Sequence, residues 1–562
     1  MRRRSRHTFF ILLLAIALAP PSALGATLAA SGDASVSQDT SAGTWTLRAG
    51  GAALTLAADR SRDFEFVSLV SSSGQKWAGG AVPDSSVHVG TRTVPFGNRA
   101  AGFAYESAAA TTIGNTLQLN VTYSLASAGL TLTRHYAIVS GTPSFETWTT
   151  YSAAAAALSD LSVLLVTIPA GTIHWVTGLE GDTAGAADPE RPDAAFTLQQ
   201  RTLPVGAQLT LGAVHRASEE TVPWFAVDGS PSTSAAGAAI SDEFYAALMW
   251  SGAWSATFER GAAGLAVSIG LPSMTTTVQR PTDGPHVVFG VASGGLAQAT
   301  SALRAYILDG LRGGRPLTPL VTYNTWFAYG TAVDEESMRA EMTRVAALGV
   351  ELFVVDAGWY ANTGIAGSYD FDAGLGGWTA DPARFPDGLK PLRDYAHDLG
   401  MRFGLWVEPE RVSLALVGAP GVDESWLATT GGDYGSDHAA QICLAGAAAR
   451  AWLLDQLTAL IDEVQPDYLK WDNNMMINCD RGGHGHGATD GNFAHIGGLY
   501  DLLAALRARY PDLLIENVSG GGNRLDIGML RYSDAGWMDD RSAPASHVRH
   551  NLEGLSVVFP PA

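Results

Sequence analysis

Cysteine is almost missing from this chain of 562 residues; Cys443 and Cys479 are the only two. Two thiols cannot build a disulfide-stapled scaffold, so stability has to come from apolar cores, for which an apolar share of 46% is ample. They also give no zinc-finger spacing. The one close histidine pair, His484 and His486, sits in the run Arg481-Gly-Gly-His-Gly-His-Gly, which reads as a solvated loop, so no metal is expected. Whether the two cysteines pair with each other stays open. Positive charge is scarce as well: Lys and Arg total 35 against 55 Asp and Glu, a formal net charge of −20. No basic stripe follows the first seven residues, which excludes a nucleic-acid partner, because phosphate binding needs clustered Lys and Arg. Long hydrophobic runs are absent too. The run Phe9 to Leu18 is too short to span a bilayer, so no stable membrane insertion is expected. Finally, no G-x-G-x-x-G follows a first strand, and no cofactor is expected.

What is present starts with an address. A basic Met1-Arg-Arg-Arg-Ser-Arg-His7, the short apolar run and the small residues Ala23-Leu-Gly25 make residues 1–25 a signal peptide. No Cys follows it to carry a lipid anchor. The mature chain would start near Ala26 and be exported to the periplasm or the extracellular medium. With 63 Gly, 15 Trp and only 16% charged residues, the composition suits extracellular sugar handling, where pyranose faces stack on aromatic rings.

Residues 26–300 read as a β-sandwich domain. Alternating runs such as Leu117-Gln-Leu-Asn-Val-Thr-Tyr and Leu130-Thr-Leu-Thr-Arg-His-Tyr are separated by Gly, Ser, Asp and Pro, and helical periodicity is nearly absent. A linker helix is expected over 301–315. From 316 to 562 strands alternate with amphipathic helices. The strand candidates are Leu320–Trp326, Glu351–Asp356, Met401–Val407, Asp467–Asp472, Asp512–Glu516 and Met529–Asp534. That alternation predicts a parallel sheet, and its length suits a (β/α)8 TIM-type barrel that is incomplete after strand six or seven, with Leu555–Phe559 opening a seventh strand. A doubly wound open sheet is the other architecture the pattern allows.

In a barrel, the C-terminal strand ends converge on one mouth. Here those ends carry Trp326, Asp356, Trp406, Glu408, Glu410, Asp472, Glu516 and Asn517, and the segment 534–540 follows the sixth strand. Alternation along Tyr468–Trp471 puts Lys470 and Asp472 on one side and Leu469 and Trp471 on the other. Two carboxylates from different strands, aromatic platforms and no phosphate loop suit glycoside hydrolysis; carboxylates about 5 Å apart would retain configuration. Asp472 beside Lys470 should stay ionised, which suits a nucleophile. The proton donor would come from Ala535-Gly-Trp-Met-Asp-Asp540, where spacing does not choose between Asp539 and Asp540.

Longer stretches then point to a family. Tyr323-Asn-Thr-Trp326, the run from Leu348 to Trp359, Trp378 to Pro391, Gly400 to Glu410, Lys470-Trp-Asp472 and Glu516-Asn-Val-Ser-Gly-Gly-Gly-Asn-Arg-Leu-Asp526 stand in order. Together they make Thr322 to Pro561 resemble the catalytic domain of glycoside hydrolase family 36, the α-galactosidases also called melibiases. The resemblance implies Asp472 as nucleophile and Asp540 as acid/base. It places Trp326, Asp356, Trp406 and Lys470 in the sugar pocket, and Gly521 where the backbone approaches the sugar. Asn474, two residues past Asp472, joins this substrate-binding set. Three departures from the family pattern bear on substrate choice: Ala357 stands where a second Asp is common, Val518 replaces a Cys, and an Arg expected before the fourth barrel helix is absent, Asp437 or His438 being nearest.

The expected function is therefore a retaining exo-glycosidase cleaving terminal α-D-galactosyl residues, with an α-galactoside as partner. An α-N-acetylgalactosaminidase is the alternative within the family, and a carbohydrate-binding protein without activity is the alternative outside enzymes. Self-association into a homo-oligomer is left open.

Overall fold

The computed structural model of the chain describes residues 25–80, 82–179, 194–229, 232–233, 239–272, 274–314, 319–361, 371–418 and 421–560. The signal peptide expected over residues 1–25 lies, Gly25 aside, outside them. Among the described residues no helix is long and apolar enough to cross a membrane.

The alternating runs of the first half form antiparallel sheets of six, ten and seven strands and one two-stranded ribbon among the described residues. In the strand Thr116–Leu125, Leu117, Leu119, Val121 and Tyr123 are buried. Its register with Leu130–Val139 runs without a break from Thr116 opposite Val139 to Leu125 opposite Leu130. Large rings join the sheets: Phe66 meets Phe289 with centroids 6.2 Å apart, Trp77 meets Phe244 at 6.4 Å, and Phe225 meets Phe258 edge-on at 4.7 Å. Aromatic pairs of this kind contribute about 0.5–1.5 kcal/mol each beyond the area they bury. The helix expected over 301–315 begins earlier, at Leu296. It runs to Ala305, continues as a π-helix to Leu311, and packs Ala299, Ala302 and Leu303 against Tyr245, Ala247 and Val288 of the ten-stranded sheet. It is therefore an outer layer of that sheet rather than a spacer.

The second half holds one six-stranded sheet, β1 (Thr322–Asn324), β2 (Leu352–Val355), β3 (Arg402–Val407), β4 (Tyr468–Trp471), β5 (Leu514–Asn517) and β6 (Ala535–Gly536). The strands are parallel, and their spatial order is their sequence order. A doubly wound sheet would reverse that order at a switch point, and these six do not. Crossover helices include α1 (Glu335–Ala346), α2 (Lys390–Asp398), α3 (Ala447–Val464), α4 (Gly491–Arg509) and, after β6, α5 (Ala545–Leu555). The Asp334 side chain caps α1 by accepting from the Ser337 amide, as its position suggested. β2 and β4 are buried at every residue, as a parallel sheet covered on both faces requires.

Two expected strands are corrected. Met529–Asp534 is not a strand: Asp526 accepts from the Met529 amide and Ser533 bonds back to the Met529 carbonyl, closing the 3-10 turn Met529–Arg531. The sixth strand follows at Ala535. Leu555–Phe559 does not open a seventh strand either. The amides of Val558 and Phe559 both bond to the Leu555 carbonyl, so the segment turns off the end of α5. In both places an apolar run satisfied strand patterning while local hydrogen bonds won.

One loop of the first half seats on the second. The Ser218 hydroxyl donates to the Gly522 carbonyl at 2.6 Å and accepts from the Leu525 amide at 2.7 Å. The Trp254 indole braces the same loop by donating to the Ala217 carbonyl.

Candidate active site

The site grows from β4. Alternation sends Lys470 and Asp472 to one side, while the Trp471 indole reaches the other and donates to Glu410 at 3.0 Å. Parallel register sets Trp406, Lys470 and Glu516 side by side on β3, β4 and β5. Lys470 Nζ lies 2.8 Å from Asp356 Oδ2 at the tip of β2, and Asn324 of β1 donates to the same oxygen at 2.7 Å. The backbone amide of Ala357 donates to the other Asp356 oxygen, so the missing second acid leaves a backbone contact at that tip.

Asp472 is 6% exposed and accepts four hydrogen bonds. The Trp406 indole and the Asn474 side chain donate to Oδ2, each at 3.1 Å; the amides of Asn473 and Gly520 donate to Oδ1 at 2.8 and 3.0 Å. Hydrogen bonds of this kind fix the orientation of the carboxylate. Asn474 is in turn held by Glu408, which accepts from its amide and its side chain and is gripped by both Arg411 contacts, at 3.1 and 3.0 Å.

The segment after β6 separates its two acids. Asp539 is buried and accepts from the Arg541 amide, His547 and Asn551, so it anchors α5. Asp540 accepts from the Trp537 indole at 2.8 Å, and the Trp537 ring lies 5.2 Å from Lys470 Nζ. Burial, joined by the charge of Asp472, pushes the Asp540 carboxyl up to about 6, against the pull of Lys470. The two candidate acids thus differ in environment: Asp472 is saturated with donors, while Asp540 has one donor and a negative neighbour. Spacing left Asp539 and Asp540 open; these contacts leave Asp540 as the one facing the charged cluster.

The remaining expected residues fall into two groups. Trp406, Asp356, Lys470 and Asn474 are joined to Asp472 directly or through one another. Trp326 stands at the rim, 37% exposed, opening the short helix Trp326–Tyr329, whose Phe327 ring lies 5.9 Å from Trp537. Gly521 sits against the segment that carries the two acids. At φ +83° an added Cβ would lie 2.8 Å from Leu179, 3.2 Å from Asp539 Cα and 3.3 Å from the Asp540 amide, so its openness admits the acid-bearing backbone. Its neighbour Gly520 is the one whose amide touches Asp472. Val518 is buried and its amide bonds to the Trp471 carbonyl, whereas Asp437 and His438 are exposed.

Sequence reasoning missed several contributors. Glu516 beside Lys470 and Glu408 behind Asn474 were visible only as acids at strand ends; burial lifts both carboxyls to about 7. Glu410 goes the other way: burial would raise it, yet Arg524, His495 and Trp471 hold it near 2. Arg216 carried no signal. It crosses from the sheet-rich half to donate to the Asn473 carbonyl at 3.0 Å, directly beyond Asp472. A cluster outside this site was also not foreseen. Cys443 and Cys479 are free and buried, and together with His484 and His486 they place four ligating atoms within 4.8 Å of one another.

With the geometry in hand, the chain can be set beside known proteins. A family model described as Melibiase matches residues 283–562. Alpha-galactosidase 2 of Pediococcus pentosaceus is 37% identical over 245 residues, covering 42% of this chain and 33% of that protein. Alpha-galactosidase C of Emericella nidulans is 28% identical over 429 residues, covering 72% of this chain and 53% of that one. The chain spans about a third to a half of the length of the curated relatives it matches. Among solved structures, the GH36 α-galactosidase AgaA from Geobacillus stearothermophilus superposes with a TM-score of 0.73 at 20% identity, covering 92% of this chain and 78% of that chain. That likeness carries the multidomain fold, a sheet-rich N-terminal part followed by the parallel sheet. Residues 283–562, which hold Lys470-Trp471-Asp472 at the tip of β4, thus match the melibiase family.

Proposed function

We propose that the protein is a retaining, exo-acting glycoside hydrolase that removes terminal α-D-galactosyl residues. Its six parallel strands are the first six staves of a (β/α)8 barrel spanning 316–562, with residues 26–300 as a sandwich domain and 1–25 as an export signal to the periplasm or medium. Asp472 attacks the anomeric carbon while Asp540 gives its proton to the departing oxygen, forming a glycosyl-enzyme. Asp540, now ionised, then takes a proton from water, which releases the sugar from Asp472. Lys470 and Asp356 hold hydroxyls, and Trp406 and Trp326 offer aromatic faces. The observation that carries this reading is the inequality of the two acids: Asp540 lifted to about 6 near a donor-saturated Asp472. A carboxyl raised in this way is suited to donating a proton. Support for the sugar comes from relatives: AgaA variants have been crystallised in complex with raffinose, stachyose and 1-deoxygalactonojirimycin.

The test is turnover of the whole chain on aryl α-glycosides, with the anomer of the first-formed sugar read by NMR. The α-galactoside should be the best substrate and should release α-galactose first. Preference for the 2-acetamido analogue would move the assignment to an α-N-acetylgalactosaminidase. Release of the β-anomer would end the double-displacement mechanism, and binding without turnover would leave a carbohydrate-binding protein.

A further inference from the structure

The loop between β4 and α4 runs from Asp472 to Asp490 without regular structure, long for a connection inside a packed domain. At its far end lies a cluster that the glycosidase chemistry does not use. Cys443, from the segment before α3, and Cys479, His484 and His486, from the loop itself, present four ligating atoms all within 4.8 Å of one another. The two sulfurs and His484 are buried and His486 is half-buried. His486 Nε2 lies 3.3 Å from Cys443 Sγ, and His484 Nδ1 lies 3.4 Å from Cys479 Sγ.

Zinc held by sulfur at about 2.3 Å and by nitrogen at about 2.0–2.1 Å in a tetrahedron sets its ligands roughly 3.5 Å apart for a sulfur–nitrogen edge and roughly 3.8 Å for the sulfur–sulfur edge. The two sulfur–nitrogen distances already match. The widest separation exceeds those edges by about an ångström. The run Gly482-Gly-His-Gly-His-Gly487, with Gly483 and Gly485 at φ +89° and +85°, can absorb that movement.

The back of each imidazole is engaged as well. His484 Nε2 lies 2.6 Å from the Ser425 carbonyl, and His486 Nδ1 lies 2.6 Å from the Gly487 carbonyl. A carbonyl can only accept, so each of those nitrogens carries the proton, and the lone pair of the other nitrogen points at the sulfurs. Backbone carbonyls orient metal-binding histidines in this way. The apolar Ala428, Ala445 and Ile477 pack against the cluster, and the Asp490 carboxylate stands nearby, accepting from the Gly487 amide at 2.6 Å.

We propose that Cys443, Cys479, His484 and His486 bind one zinc ion in a closed structural site. Two thiolates neutralise the ion. Four protein ligands leave no open position, so the metal is a clip and not a second catalytic centre. The clip ties the β4–α4 loop to the segment before α3 and, through His484, to the turn at Ser425. It thereby fastens the loop whose first residues are Asn473 and Asn474, beside Asp472. Metal clips that close long loops gain stability from the entropy they remove from the unfolded chain.

The decisive measurement is elemental analysis of the full chain purified without reductant and with zinc in the medium. We expect about one zinc per chain. Replacement by cobalt should give the intense visible bands of a tetrahedral sulfur-ligated ion. His486→Ala, which keeps both thiols and changes only a half-buried ligand, should lower zinc affinity at least tenfold while the circular dichroism of the folded chain stays intact. Cys443→Ser should abolish the sulfur-to-cobalt charge-transfer intensity or halve it. If Cys443→Ser does not fold, cobalt titration of the unmodified protein still decides the matter. A Cys443–Cys479 disulfide found by peptide mapping of the folded chain would overturn the proposal. So would two free thiols in a protein that takes up neither zinc nor cobalt.

Discussion

Two buried ion pairs, one in each half of the molecule, look alike at first. In the sheets of the first half, Arg134 lies 2.9 Å from Asp84; in the parallel sheet, Lys470 lies 2.8 Å from Asp356, and all four side chains are 5% exposed or less. Their surroundings differ. Arg134 also donates to the Val163 carbonyl and to Thr149, and the Tyr136 hydroxyl donates to Asp84, so the charges there cancel within a closed set. Around Lys470 there are more acids than the lysine can balance: Asp356, Asp472, Glu516 and Asp540 share its field, and the Glu516 and Asp540 carboxyls are lifted to about 7 and about 6. A buried ion pair by itself therefore says little about function. A surplus of one sign at converging strand ends says much more.

The sharpest way to break this comparison is to remove charge at each place. Asp472→Ala should cut turnover by about 10⁴-fold or more, whatever the leaving group, because the covalent step loses its nucleophile. If labelling with a fluorosugar marks a different residue, the contrast between the two pairs loses its functional half. Asp540→Ala should lose about 10²- to 10⁴-fold on natural galactosides and far less on an aryl galactoside whose leaving group needs no proton. Equal losses on both substrates would show that Asp540 is not the proton donor.

Arg134→Met should do the reverse. Stranding Asp84 should cost about 3–5 kcal/mol of stability, read by denaturant unfolding, while kcat of the folded fraction stays within twofold.

Asp540 also makes a prediction about pH. Folding raises this carboxyl from 3.8 to about 6, so between those values the unfolded chain has released a proton that the folded chain retains. Stability then falls as pH rises through that window, and Asp540→Asn should gain about 1–3 kcal/mol at pH 8 and nothing at pH 3. The same carboxyl predicts that wild-type activity declines above its titration and that this limb disappears in the variant. Smallest of all, Arg216→Ala should weaken kcat/KM by roughly tenfold by loosening the Asn473 carbonyl beside Asp472, and, because Arg216 also pairs with Glu219, should cost about 1.5–3 kcal/mol of stability.

The sequence made some features legible and left others dark. Strand alternation by itself places Lys470 and Asp472 on one side, and an N-cap at Asp334 and a stop before Pro466 frame their helices correctly. Those features depend on neighbours a few residues away. Two of the failures were local as well. Met529–Asp534 and Leu555–Phe559 had strand-like composition, but side-chain and backbone bonds at Asp526, Ser533 and Leu555 turned them. Asp539 and Asp540 could not be told apart by spacing, because what separates them is α5 folding back to put His547 and Asn551 against Asp539.

By itself the chain determined its two-part plan, the order of its strands and which acids stand at their ends, since each of these is written in short-range periodicity and punctuation. Tertiary structure alone decided which carboxyls are pushed up, that Arg216 would reach Asn473 from the other half, and that two cysteines 36 positions apart would meet a histidine pair. Charge, burial and ligand geometry depend on distances in space, and residues far apart in sequence set those distances only once the chain has packed.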